Sequence, residues 1–108
     1  MRRLNLADYQ AKGVAPGADP EKPLIDIMFP YPVKDTVLSI MFAPVLKLTG
    51  AELIKQQAVA LKIEACKDDE ILLEEEEFAR VRSAFDTFAG FTRPDLELVE
   101  RIRNCKEE

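Results

Sequence analysis

The chain has 108 residues, of which 47% are hydrophobic and 32% are charged, and this balance fits a single small globular domain. A chain of this length buries roughly 65% of the surface that it exposes when unfolded, so one core can form without metal or disulfide staples. The absence of histidine excludes histidine-based triads and imidazole metal ligands. The net charge of −5 opposes direct binding to nucleic-acid phosphates.

The N-terminal third has the composition of extended structure. We interpret residues 3–29 as a two-stranded hairpin with a long connection, because apolar residues flank a cluster of Gly, Pro and Asp. That cluster predicts a flexible loop at residues 15–23. The second strand is expected to end near Phe29 or to continue only as an edge strand, since Pro30 and Pro32 lack amide donors.

The segment 35–43 fits two structures. Asp35 could cap a short helix, because apolar residues recur at helical spacing until Pro44 ends the run. A strand is the alternative for this segment.

A helix is predicted at residues 50–66. Thr49 and Glu52 have the spacing of a capping box, in which each side chain bonds the backbone amide of the other. Its buried stripe is predicted to contain Ile54, Ala58, Leu61 and Ala65, with Leu53 alongside, while Lys55, Gln56 and Lys62 face outward.

Two more helices and a short strand complete the chain. Residues 71–73 are predicted to form a third strand, and a helix begins near Glu74. The face of that helix consists of Phe78, Val81, Phe85 and Phe88, and Gly90 supplies its stop. A Thr92 to Asp95 cap opens the last helix, whose buried stripe is Leu98, Ile102 and Cys105.

Together these elements predict an α+β fold. A small N-terminal β-hairpin, with or without a short third strand, packs on three to four amphipathic helices. Residues 1–108 are expected to form one domain, because neither an internal repeat nor a linker divides them.

The composition favours a protein that is not an enzyme and binds no cofactor or metal. Cys66 and Cys105 have no imidazole partner and are expected to be buried free thiols. The four glycines form no phosphate-binding motif. Basic residues of the C-terminal helices are offset by glutamates, so direct nucleic-acid binding is not expected, and no small-molecule substrate is evident.

Two segments are candidate protein-interaction surfaces. The first is an irregular apolar run interrupted by prolines, with the candidate residues Tyr31, Met41, Phe42, Val45 and Leu46. The second is the acidic segment 67–77, which carries a charge of −6 and includes Glu74, Glu75, Glu76 and Glu77. It is either a docking surface for a basic partner or the solvated start of a helix.

The sequence predicts a cytoplasmic protein. Asp8 interrupts any apolar signal region after Arg2 and Arg3, and the most apolar run, 37–46, is about half the length of a membrane span.

The order of these parts resembles small uncharacterised proteins encoded by tailed bacteriophages and prophages. The resemblance covers about residues 30–104 and lies in YPVKDTVLSIMF, LKIEAC, ILLEEEEFARVRSAF and ELVERI. It implies an accessory or assembly protein that acts through protein–protein contacts in the host cytoplasm or as part of a virion. It brings no catalytic residue with it.

Two functions are therefore expected ahead of enzymatic ones. In the first, an apolar surface makes assembly contacts with a second copy or a larger phage protein. In the second, the acidic segment 67–77 occupies a basic, nucleic-acid-binding site on a host protein and so inhibits or regulates it. Apolar contacts should survive high salt, whereas acidic docking should weaken as charges are screened within about 8 to 10 Å.

Overall fold

The structure, a computed structural model, describes residues 1–107, without the side chain of Asp19. It has the α+β fold that the sequence predicts, with two antiparallel sheets of two strands each. In chain order the elements are β1 (Arg2–Asn5), β2 (Tyr9–Asp19), β3 (Lys22–Tyr31), α1 (Val33–Met41), α2 (Gly50–Ala65), β4 (Glu70–Leu73), α3 (Glu75–Thr87) and α4 (Leu96–Arg103). Short 3-10 turns lie at Pro44–Leu46 and Arg93–Asp95.

The strands β2 and β3 form one long hairpin, and the predicted loop at residues 15–23 is wrong. Residues 15–19 continue β2 and residues 22–23 begin β3. The reason is the size of the side chains on the two strands. A Cβ on Gly17 would lie 2.6 Å from the carbonyl oxygen of Lys22 and 2.9 Å from Cγ2 of Ile25, so the absence of a side chain lets the two strands approach closely. The same small residues that suggest a loop in the sequence thus allow close pairing.

The predicted third strand is confirmed, but its neighbour is β1 and not the hairpin. In this second sheet Leu4 lies opposite Ile71, and Arg2 lies opposite Leu73. Both Leu4 and Leu73 are buried. The alternation of buried and exposed residues along β4 directs one face of the small sheet into the core.

The segment 35–43 is helical for most of its length, because α1 spans Val33–Met41. Asp35 lies in the first turn and not at the cap. The amide of Val33 instead donates to Oδ1 of Asp8 at 2.9 Å, which ties the start of α1 to the chain before β2.

Helix α2 begins where the capping residues predict. The amide of Glu52 donates to Oγ1 of Thr49 at 3.2 Å. The carboxylate of Glu52 accepts from the Thr49 hydroxyl at 3.3 Å, so it does not reach the cap amide as predicted.

The predicted orientation of α2 is wrong. The residues predicted to be buried are exposed, and the buried residues are Gln56, Val59, Ala60 and Ile63. Gln56 was expected to face solvent, yet its Nε2 donates to the carbonyl of Met41 at 2.9 Å and its Oε1 accepts from Arg80 at 3.3 Å. Since α2 is apolar on two opposite sides, periodicity alone could not decide which side packs on the core.

The inner faces of α3 and α4 agree with their sequence pattern within the helices, whereas Phe88 and Cys105 lie beyond the helix ends and are half-buried. Phe78, Val81 and Phe85 of α3 are buried, and so are Leu98 and Ile102 of α4. These side chains join one hydrophobic cluster with residues of β1, α1, α2 and β4. Cys66 is a free thiol, as predicted, but it is half-buried and not buried, and Cys105 is half-buried as well.

Candidate protein-interaction surfaces

The predicted apolar surface does not form as one exposed patch. Tyr31 is 5% exposed and Met41 is fully buried, while Phe42 and Leu46 are half-buried. Only Val45 of the five candidates is exposed. Because α1 directs Met41 inward and β3 ends on the core at Tyr31, two of these residues are core residues and cannot contact a partner.

The exposed apolar surface lies instead on the hairpin, which we call the arm (residues 9–31). Val14, Leu24 and Met28 are each more than half exposed, and Ile25 is nearly so. These side chains lie on both faces of the arm, since Val14 and Met28 share one face and Ile25 lies on the other. The arm contributes to an elongated shape of 53 × 29 × 23 Å.

A concave surface lies where the arm approaches the rest of the domain, which we call the body. A groove of about 480 Å³ separates the face bearing Val14 and Met28 from the chain at Thr92–Pro94. Lys12 and Asp26 also line it. The apolar surface of the arm therefore continues into a groove with a few charged groups.

The base of the arm is fixed to the body by two tyrosines. The rings of Tyr9 and Tyr31 stack with centroids 4.7 Å apart. The Tyr9 hydroxyl donates to the carbonyl of Pro94 at 2.7 Å and accepts from the amide of Leu98 at 3.3 Å. The Tyr31 hydroxyl donates to Oδ1 of Asp95. The arm is thus held at its base and bare towards its tip.

Arg101 of α4 strengthens the same base. Its guanidinium lies 5.0 Å from the centroid of the Tyr9 ring and pairs with Glu97 at 2.7 Å. It also donates to the carbonyl of Ala7 at 2.6 Å, just before β2 begins. This arginine is engaged within the chain, which lowers the positive charge that the C-terminal helices could offer to a phosphate.

Burial raises the pKa of both tyrosines above their ordinary value of 10.0, and at Tyr31 the bond to the Asp95 carboxylate raises it further. Below pH 10 each tyrosine is neutral in the folded and the unfolded chain. Above pH 10 the unfolded chain ionises first, so we expect the free energy of unfolding to fall as the pH rises towards the folded-state pKa values.

A spectroscopic titration checks this prediction directly. The chain has two tyrosines and no tryptophan, so tyrosinate absorbance reports only the base of the arm. We expect both transitions of the folded protein above pH 10, and Tyr31→Phe should remove the later one. A transition at the ordinary value in the folded protein would contradict the prediction.

The acidic segment 67–77 runs through β4 into the first turn of α3, and its charge is partly neutralised. Glu70 pairs with Arg3 at 3.2 Å, Glu75 with Arg2 at 2.7 Å, and Glu77 with Lys62 at 2.9 Å. Glu77 also accepts from the amide of Glu74 at 2.8 Å, as a capping box requires. Three of the seven acidic side chains are therefore held by cations of the same chain, and two act at the start of a helix.

A second groove, of about 640 Å³, lies between α2 and α3. Its charged lining residues have both signs, Glu52 and Glu76 against Lys55 and Arg80, so it presents no uniform field to a charged ligand. Among the side chains that the structure describes, no group of three or more Cys, Asp or Glu is arranged to hold a metal ion.

The fold and its surfaces define an α+β protein whose arm is fixed at its base and exposes apolar side chains. No protein-family model, curated protein or solved structure gives a match to this chain. None of the helices in the described part of the chain has the length and apolar character needed to cross a membrane.

Proposed function

We propose that this protein is a non-enzymatic interaction protein, an accessory or assembly component of a tailed phage or prophage that binds a larger protein through its arm. The arm carries the proposal, because its apolar side chains are exposed on both faces while its base is fixed. The phage context rests on the resemblance described for residues 30–104. The host cytoplasm, or a virion assembled there, is the location that this context implies.

The physical argument concerns what a hairpin needs in order to be stable. An isolated two-stranded hairpin is marginal in water, and a hydrophobic face has to pack on another element. Here the stacked tyrosines supply such packing only at the base. Towards the tip, Leu24, Ile25 and Val14 remain open to solvent, so a partner that covers them gains about 25 cal/mol for each Å² of apolar area buried.

The two free edges of the arm offer a second means of recognition. Within the part of the chain that the structure describes, β2 and β3 pair only with each other. Each therefore has one edge whose backbone groups can pair with a strand of another protein. A partner with an exposed strand and an apolar surface beside it fits both features of the arm.

The acidic-docking hypothesis has less support. Arg2, Arg3 and Lys62 offset about half of the charge that the segment 67–77 carries in the sequence. Four of its glutamates, Glu74 to Glu77, lie at the start of α3, which favours the solvated-helix interpretation.

Capture on the immobilised protein tests the proposal. Proteins retained at high salt from cells that carry the phage or prophage would be compared for the wild type and the double variant Leu24→Glu/Met28→Glu. We expect the variant to lose the retained partner, because two carboxylates would take the place of the apolar side chains that the partner covers. Leu96→Glu is the matched control, since Leu96 is an equally apolar and exposed residue of α4.

Charge reversal separates the two hypotheses. The variant Glu74→Lys/Glu76→Lys should retain the partner if the arm binds it. Acidic docking predicts three other results: capture is lost in this variant, the wild type loses the partner at high salt, and the arm variant captures it as well as the wild type does. These results together would overturn the arm proposal.

A further inference from the structure

The outer face of α2 is a second apolar surface, independent of the arm. Ile54, Ala58, Leu61 and Ala65 are all exposed and recur at steps of four, three and four residues. Such spacing places them on one stripe of the helix. The opposite stripe, with Val59 and Ile63, packs on the core. Helix α2 is therefore apolar on two sides, and the described residues cover only the inner one.

The order of large and small side chains indicates what covers the outer stripe. Ile54 and Leu61 are large, and they alternate with Ala58 and Ala65. If a second copy of the stripe runs antiparallel, Ile54 faces Ala65 and Ala58 faces Leu61. Each of the four contact layers then joins one large and one small side chain, which keeps the distance between the helices uniform.

A parallel pair would fit less well. Leu61 would face Leu61, and these two large side chains would hold the helices apart. Ala58 would face Ala58, and these two small side chains would leave a gap. We therefore propose that the outer stripe of α2 binds the same stripe of a second copy of this chain, with the two helices antiparallel. This dimer interface uses residues outside the arm and leaves both arms exposed to other partners.

The charged residues beside the stripe predict how salt affects this dimer. In the antiparallel pair Lys55 of one copy lies near Lys62 of the other, on the flank next to α3. Lys62 already pairs with Glu77 at 2.9 Å, which moderates the repulsion. On the opposite flank Gln57 lies near Glu64. Because no attraction between charges has to be screened, association should persist or increase at high salt.

The length of α2 sets the strength of the interface. Sixteen residues make a helix of about 24 Å. A pair of such helices buries less than the roughly 800 Å² per partner of a standard stable interface. We expect a dimer that dissociates on dilution.

Sedimentation velocity over a range of protein concentrations tests the interface. The wild type should shift from monomer to dimer as its concentration rises, and Leu61→Glu should remain monomeric. Leu96→Glu is the control, because Leu96 and Leu61 are 57% and 53% exposed and the change is the same. Circular dichroism would confirm that each variant is folded, as expected for changes at exposed positions.

Disulfide cross-linking tests the direction of the helices. In a background with Cys66→Ser and Cys105→Ser, oxidised glutathione would be added to Ile54→Cys, to Ala65→Cys and to their mixture. In the antiparallel pair positions 54 and 65 face each other, whereas two copies of position 54 lie about 16 Å apart, too far for a disulfide. We expect a cross-linked dimer from the mixture alone.

Three results would overturn the inference. They are a monomer at every concentration, a dimer that survives Leu61→Glu, and a cross-link formed by each single variant alone. The arm variant Leu24→Glu/Met28→Glu should still dimerise, so failure of the arm proposal would be distinguishable from failure of this one. Loss of the dimer in the arm variant would assign self-association to the arm and also overturn the inference.

Discussion

Replacing Asp95 with Ala should lower the free energy of unfolding by about 2 to 4 kcal/mol. One carboxylate serves two purposes here. Its Oδ1 accepts from the buried Tyr31 hydroxyl, and its Oδ2 accepts from the Thr92 amide at 2.7 Å. Removing it takes the carboxylate acceptor away from the Tyr31 hydroxyl and also removes the cap of the turn before α4. Urea denaturation would measure the loss.

Asp95→Asn is the matched control for this prediction. The amide keeps an acceptor oxygen and the same shape, so it should lose less stability than Asp95→Ala. We also expect faster hydrogen exchange of the β3 amides near Tyr31 in the alanine variant, because the base of the arm loosens. Equal stability of wild type and Asp95→Ala would show that the arm is not held by this contact.

Phe78→Ala should have a still larger effect, about 3 to 5 kcal/mol. Phe78 is 2% exposed and lies in the first turns of α3, where it packs in the central cluster. The Arg2 guanidinium lies 5.1 Å from its ring centroid, and Arg2 also pairs with Glu75. The substitution therefore leaves a cavity and removes a cation–π contact between β1 and α3.

Thermal and urea unfolding would measure this loss, with Phe91→Ala as the control. Phe91 is half-buried and contacts Phe85 and Phe88 at the edge of the core, so its removal leaves a smaller cavity. Its loss of stability should be clearly smaller. If both variants lost the same stability, Phe78 would not be the central packing residue that its burial indicates.

These two variants act on stability and replace none of the exposed apolar residues of the proposed contact surfaces. The arm variant and Leu61→Glu change exposed residues, so they should alter binding with little effect on unfolding. If the arm variant or Leu61→Glu loses binding while its stability is unchanged, the loss is therefore due to the contact surface and not to unfolding.

The sequence by itself determined the elements whose signals are local. The Thr49 cap, the faces of α3 and α4 and the strand at residues 71–73 follow from spacing within a few residues, and the structure confirms them. The α+β class follows from the same patterns.

The position of the candidate surface could not be predicted in this way. Tyr31 and Met41 were expected to be exposed, because an irregular apolar run gives no information on which residues the other elements cover. Residues 15–23 were expected to form a loop, since Gly and Pro favour turns when no partner strand is considered. Both features depend on contacts between residues far apart in sequence, as between Tyr31 and Asp95.

The orientation of α2 shows the same limit most clearly. The sequence determined that this segment is a helix with apolar residues, but it offered two opposite stripes of similar character. Only the tertiary structure decided that Gln56 faces the core, where Met41 and Arg80 supply its hydrogen-bond partners. The physical reason is that periodicity records which residues share a face, whereas burial depends on what the remaining chain places against that face.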